Sequence, residues 1–185
     1  MFSVLGSLNR KLLLSALLAT TTACGRSDDP RDELDPGKLP SAGSCLTGCK
    51  RGFKCSLASC VLDPYSLWIP TVTSGKVATQ KASGDAWDAL GGAPDPYVCL
   101  TIGSRRSCTS TRKDTFQPVW NEPFPAATAL TLLDGVTVAL VDEDAVNNDG
   151  ICGPNVVPVT QPSFQTGQWS LSCDEGSFTV TLTPQ

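Results

Sequence analysis

The chain has 185 residues, 14 basic and 18 acidic, with no histidine and nine cysteines. That length suits one domain of ordinary size plus a tail or small module, and the missing histidine excludes His-based triads, His general bases and His-containing zinc sites. The acidic balance argues against nucleic acid as a partner, and the cysteine count points to an exported, disulfide-bonded chain.

The first predicted element is an address. Arg10 and Lys11 precede the apolar run Leu12-Leu-Leu-Ser-Ala-Leu-Leu-Ala19, which is too short to span a bilayer and reads as a signal peptide over residues 1–23. Its end, Thr21-Thr-Ala-Cys24-Gly25, resembles the lipobox of bacterial lipoproteins, with Thr21 where leucine is usual. The resemblance implies that the Cys24 thiol is lipidated and that cleavage leaves Cys24 first. Acyl chains then anchor the protein, each buried CH₂ contributing roughly 0.8 kcal/mol. Gly25 in place of aspartate implies the outer membrane, by the sorting rule of some Gram-negative lipoproteins. The alternative is a plain secretory signal followed by an unrelated cysteine. Removing residues 1–23 leaves 12 basic against 18 acidic residues, a net charge of −6.

Residues 24–44 form the expected lipidated N-terminus and a linker. Asp28, Asp29, Asp32, Glu33 and Asp35 alternate with Pro30, Pro36 and Pro40, with little to bury. Proline and self-repulsion favour an extended tether. Residues 45–63 follow as a small module with four cysteines, Cys45, Cys49, Cys55 and Cys60. It is too short for a core of its own, so disulfides are expected to replace one. A Cys₄ zinc site is the alternative, but such sites pair C-x2-C hooks that this spacing lacks. Two bridges among four cysteines have three possible connectivities, and the sequence does not choose.

From residue 64 to 185 the pattern is all-β. Val98, Leu100 and Ile102 alternate with Tyr97, Cys99 and Thr101. Val136, Val138 and Leu140 alternate with Thr137, Ala139 and Val141, and Phe178, Val180 and Leu182 with Thr179, Thr181 and Thr183. Period-two alternation with no useful helical stretch predicts an antiparallel β-sandwich or barrel.

The strand ending at Val141 runs into Asp142, Asp144 and Asp149, with no basic residue among them. Crowded carboxylates repel unless a counter-ion joins them. A hard cation with oxygen ligands resolves this, and Ca²⁺ tolerates several carboxylates in a flexible geometry. An acidic stretch upstream, carrying Asp88 and Asp95, supplies the other half of such a cage. An EF-hand loop does not fit: with Gly150 at position 6, positions 1 and 12 fall on Ala145 and Val156.

Three segments then resemble those of C2 domains. Asp88-Ala-Leu-Gly-Gly-Ala-Pro-Asp95-Pro-Tyr-Val98 is similar to D-x-x-G-x-S-D-P-Y-V. Thr115-Phe-Gln-Pro-Val-Trp-Asn-Glu122 is similar to T-x-N-P-x-W-N-E. Asp142-Glu-Asp144, with Asp149 and Gly153, is similar to the D-x-D…D-x-x-G of a third calcium loop. The resemblance implies an eight-stranded antiparallel sandwich whose loops bind Ca²⁺, often together with phospholipid. A single strand before loop one and a well-patterned last strand imply the type II order, in which the extra strand is C-terminal. Carried over, Asp88 and Asp95 are the loop-one ligands and Asp142, Asp144 and Asp149 the loop-three ligands. The main-chain carbonyls of Trp87 and Glu143 complete the set. Two spacings differ by one residue from the family's, which offers Asp85 as an alternative to Asp88 and Asn148 as an aid to Asp149.

Cys99 and Cys108 straddle an expected hairpin at residues 103–106, while Cys152 follows the third loop and Cys173 ends the strand that contains Trp169. The pairings Cys99–Cys108 and Cys152–Cys173 are expected, leaving Cys24 as the odd cysteine. The function expected is a calcium-binding module on an envelope lipoprotein, meeting phospholipid headgroups or an extracellular protein. The alternatives are a structural surface protein in which Ca²⁺ only rigidifies loops, or a calcium-dependent hydrolase. Against an enzyme stand the missing histidine and the absence of a G-x-S-x-G elbow.

Overall fold

The computed structural model describes Cys45, residues 48–88 and residues 91–185. The leader, Cys24 and the acidic linker lie outside the described residues.

The elements run β1 (Phe53–Ser56), β2 (Ser59–Leu62), β3 (Leu67–Val77), β4 (Pro96–Ile102), β5 (Arg105–Cys108), β6 (Val119–Pro123) and β7 (Ala127–Thr128). After these come α1 (Ala129–Leu133), β8 (Val136–Asp142), β9 (Asp149–Val157), α2 (Gln161–Thr166), β10 (Gln168–Ser172) and β11 (Gly176–Pro184). One sheet has the order β10-β11-β3-β6, with the two-residue β7 also beside β3; the other has the order β5-β4-β8-β9. All pairs are antiparallel. The last strand lies beside the first strand of the sandwich, Val180 opposite Val72, which is the type II order expected from the sequence.

The alternating residues become the core. Val136, Val138 and Leu140 of β8 are buried, as are Val98 and Leu100 of β4 and Phe178, Val180 and Leu182 of β11. The two inner faces meet there; along β8 and β11 buried side chains alternate with more exposed ones, while on β4 Cys99 is buried between Val98 and Leu100. The two short helices have no counterpart in the sequence pattern; each closes one of the connections between strands. Thr128 caps α1 by accepting the Thr131 N–H, and Gly167 ends α2 in the left-handed conformation that glycine tolerates best.

The cysteine-rich segment is a hairpin, β1 against β2, held by Cys45–Cys55 and Cys49–Cys60. It shares the sandwich's core rather than standing apart. Phe53 meets the Trp68 ring edge-on at 6.1 Å, and Trp68 meets Phe164 of α2 at 5.0 Å. Leu62 is buried in the same cluster. Gly52 sits against the Trp68 indole with φ of +85°, where a Cβ would run into the ring. Lys50 completes the seam, its ammonium over the Phe53 ring and donating to the Gln165 carbonyl.

Cys99 faces Cys108 across the β4–β5 hairpin and is bonded to it. Cys152 of β9 is bonded to Cys173, just beyond β10, which joins the two sheets covalently.

Candidate functional site: an acidic cup at one end of the sandwich

Three connections gather at the end of the sandwich where β3 finishes and β4 begins: residues 78–95, 109–118 and 143–148. Asp142 lies at their centre. It continues the inward parity of Val136, Val138 and Leu140, so the strand pattern drives a carboxylate into the interior. The side chain is fully buried. One oxygen, Oδ1, accepts the Asp95 N–H at 2.6 Å. The other, Oδ2, is buried with no hydrogen-bond partner. Desolvation pushes the Asp142 carboxyl above its ordinary pKa, the Asp95 N–H opposes this, and the charges of Asp144, Asp88 and Asp95 add to it. An orphaned buried carboxylate oxygen is costly unless something meets it.

Asp88 and Asp144 converge on Asp142, with one carboxylate oxygen from each lying within 4.8 Å of the others. Asp88 is set by its neighbours. Trp87 is buried and its indole N–H donates to the Ala78 carbonyl at 2.7 Å, fixing the chain immediately before the aspartate. The Asp88 carbonyl accepts the Gly91 N–H at 2.9 Å. Gly92 leaves room for the carboxylate, since a Cβ there would stand 2.6 Å from Oδ2 of Asp88. Burial pushes Asp88 above its ordinary pKa, with Asp95 and Asp144 adding to the shift. Asp144 is positioned through Asn148, whose amide oxygen accepts the Asp144 N–H at 3.1 Å and whose NH₂ donates to the Tyr97 hydroxyl at 3.0 Å. Asn148 therefore braces loop three. Asp85, the alternative to Asp88, accepts the Ser83 hydroxyl and is not one of the three converging carboxylates.

The other two expected ligands are already engaged. Asp95 Oδ2 takes the Lys113 ammonium at 2.8 Å and Oδ1 accepts the Asp114 N–H at 2.7 Å. Burial opposes ionisation of Asp95, but Lys113 and the Asp114 N–H outweigh it and hold the carboxyl below its ordinary value. Asp149 is bonded to Lys81. Glu143 sends its carboxylate to Lys113 at 3.0 Å, while its N–H donates to the Asp95 carbonyl. The five aspartates thus divide into a bare group of three and two that hold lysines.

Sequence reasoning missed Lys81 and Lys113. The signal was faint: both flank acidic segments, but neither matches a motif. The T-x-N-P-x-W-N-E segment explains how Lys113 is aimed. Trp120 is buried and donates to the Ser110 carbonyl at 3.1 Å, and Asn121 adopts φ of 53° within the strand. Glu122 accepts Arg112 at 2.9 Å and the Ser110 N–H at 2.8 Å. Lys81, Asp85, Trp87, Asp88, Asp144 and Asp149 line an open cleft of about 470 Å³ beside the cup. Arg105 and Arg106 lie at the other end of β4, away from the acids.

A C2 domain family model matches residues 73–171, more than half of the chain. The protein belongs to the C2 domain family. Among relatives of this C2 domain, human cytosolic phospholipase A2 delta (Homo sapiens) is 32% identical over 92 residues, covering 48% of this chain and 11% of that protein. A C2 and GRAM domain-containing protein of Arabidopsis thaliana is 38% identical over 71 residues, covering 38% of this chain and 7% of that protein. The matched stretch is thus about a tenth or less of those relatives' length. Among solved structures, a C2 domain of plant extended synaptotagmin 1 superposes with a TM-score of 0.49 at 17% identity, covering 66% of this chain and 96% of that one. The calcium-bound tandem C2 domains of extended synaptotagmin 2 give 0.45 at 15% identity, covering 66% and 46%.

Proposed function

We propose that this C2 domain binds Ca²⁺ between Asp88, Asp142 and Asp144 and, with the ion in place, docks on anionic phospholipid headgroups. The observation that carries the reading is Oδ2 of Asp142, buried and without a partner beside two further carboxylates. Hard cations take oxygen ligands from carboxylates, carbonyls and water, and Ca²⁺ accepts six to eight of them. Three carboxylates from two loops fit that donor set. The main-chain carbonyls of Trp87 and Glu143, next in sequence to Asp88, Asp142 and Asp144, are the further donors the fold offers. When bound, the ion supplies a positive charge that a phosphate headgroup can share. This chain's residues do the rest: Asn148 and Tyr97 hold loop three, and Val146, 87% exposed in that loop, offers an apolar contact to the bilayer surface.

The lipobox-like Cys24 completes the reading. Acyl chains on Cys24 would tether the domain to a bacterial envelope, at the outer membrane, through the acidic linker. The described residues include no helix long and apolar enough to cross a membrane. The domain acts as a binder and not as an enzyme: its clustered carboxylates serve an ion, and no histidine is present for acid–base work.

The test is co-sedimentation of the disulfide-bonded chain with vesicles of phosphatidylserine and phosphatidylcholine, with Ca²⁺ or chelator. Binding that needs Ca²⁺ and is lost in Asp142→Asn with an unchanged circular dichroism spectrum is expected. Ca²⁺ uptake without vesicle binding would overturn the lipid half and leave the ion as a brace for the loops. Incorporation of labelled palmitate, lost in Cys24→Ser, tests the anchor.

A further inference from the structure

We propose that Lys81 and Lys113 are built-in counter-ions that flank the acidic cup, so that the cup takes one divalent cation rather than two. The proposal rests on the calcium reading above and adds its stoichiometry. The carboxylates at this end include Asp88, Asp95, Asp142, Glu143, Asp144 and Asp149, with Asp85 and Asp114 on the same loops. Only Asp88, Asp142 and Asp144 bring oxygens within 4.8 Å of one another. Lys113 spans Asp95 and Glu143, at 2.8 and 3.0 Å, and Lys81 holds Asp149.

Neither lysine reaches its partner by chance of a long side chain. Lys113 leaves a loop fixed on both sides to the segment that carries Asp95. The Arg112 N–H donates to the Pro96 carbonyl and the Thr115 N–H to the Pro94 carbonyl, each at 2.9 Å. The Arg112 guanidinium binds the Val119 carbonyl at 2.7 Å, the Trp120 carbonyl at 3.2 Å and Glu122 at 2.9 Å. Asp114 takes a left-handed φ of 49° and turns its N–H onto Asp95. Lys81 is pinned by its N–H to the Asp85 carbonyl at 2.9 Å, and its ammonium lies 5.5 Å from the centre of the Trp87 ring. Its side chain is only 25% exposed.

The charges then balance. Two ammonium groups carry the charge of one Ca²⁺, so the same carboxylates with two lysines and one ion have the same net charge as with two ions and no lysine. Asp95 and Glu143 are two carboxylates, well short of the six to eight oxygens that Ca²⁺ takes, so they would hold an ion weakly. A tethered ammonium is enough to exclude an ion held so weakly. Lys81 differs in effect, because Asp149 belongs to the loop-three set. Freeing it adds a ligand to the first ion and creates no second site.

Calorimetric titration of the disulfide-bonded chain with CaCl₂ to several millimolar tests this. The wild type should take up one ion, Lys113→Met two, and Lys113→Arg one. Lys81→Met should take up one ion about tenfold more tightly, as expected when a competing charge leaves and a carboxylate joins. Lys113 is 63% exposed, so its loss should leave the fold intact, checked by thermal melting. One ion in both the wild type and Lys113→Met overturns the role of the lysine and leaves the calcium reading standing. Two ions in the wild type do the same. No uptake by the wild type overturns the calcium reading itself, and this inference with it.

Discussion

The two ends of the sandwich are finished by opposite means. At one end the hairpin of residues 53–62 closes the core with aromatic contact and two disulfides; among the described residues nothing charged is buried there. At the other end a carboxylate is driven inside by strand parity and left with a bare oxygen. Apolar surface is satisfied by any well-shaped neighbour, so the first end is complete within the chain. A buried charge needs a specific partner, and in the proposed reading a cation supplies it at the second end. In that reading stability and binding are separated in space, and substitutions at the two ends should have separable consequences.

The largest effect should come from Trp68→Ala. The ring is 2% exposed and lies between Phe53 and Phe164. Removing it should cost about 3–5 kcal/mol in denaturant unfolding, and the Ca²⁺ affinity of the remaining folded protein should not change. A change in affinity would break the separation. Next is the paired change Cys49→Ser with Cys60→Ser. These residues are 11 apart, and opening a loop of that size costs roughly 3 kcal/mol by chain entropy. Melting temperature should fall while calcium-dependent vesicle binding persists.

The acidic end should respond in the opposite sense. Asp142→Asn removes a desolvated charge, so the calcium-free protein should melt at a higher temperature than the wild type. The increase in melting temperature on adding Ca²⁺ should vanish. A variant that melts lower without Ca²⁺ would show that the bare carboxylate is not a source of strain.

The smallest effect is on pH dependence, and its sign follows from the shifts. Asp142 and Asp88 have raised pKa values, so the folded state binds their protons more tightly than the unfolded chain does. Calcium-free stability should therefore rise as pH falls from 7 into the raised range of these two groups. Asp95 opposes this, because its lowered value gives stability that is lost only at still lower pH. The calcium-free melting temperature should pass through a maximum on the acid side of neutrality. Saturating Ca²⁺ should erase the first rise, because its ligands must be ionised. A melting temperature that falls steadily from pH 7 without Ca²⁺ would contradict the raised values.

Much of this was legible in the chain. The run Val136, Val138, Leu140 set which face of β8 points inward, and Asp142 has the same parity. The facing positions of Cys99 and Cys108 across a Gly-Ser turn were readable because a hairpin is local. That the closing strand is an extra one at the C-terminus followed from the pattern of residues 178–183, and it lies between β10 and β3. The disulfide connectivity of Cys45, Cys49, Cys55 and Cys60 was not legible, since any of three pairings satisfies four nearby thiols. Nor was the docking of the hairpin onto Trp68, because Phe53, Trp68 and Phe164 come from distant parts of the chain.

By itself, the sequence determined the β-period, the parity that Asp142 shares with Leu140 and the excess of acids in two loops. These are properties of neighbours along the chain, where side-chain alternation and like charge act directly. Only the tertiary structure decided which acids stand bare. Asp95 and Asp149 look like Asp88 and Asp144 in sequence, yet they hold Lys113 and Lys81. Lys113 is brought to Asp95 by a loop anchored through Arg112, and Lys81 is seated against Trp87. Ion pairing depends on distance in space, and that distance is set by the packing of the whole sandwich.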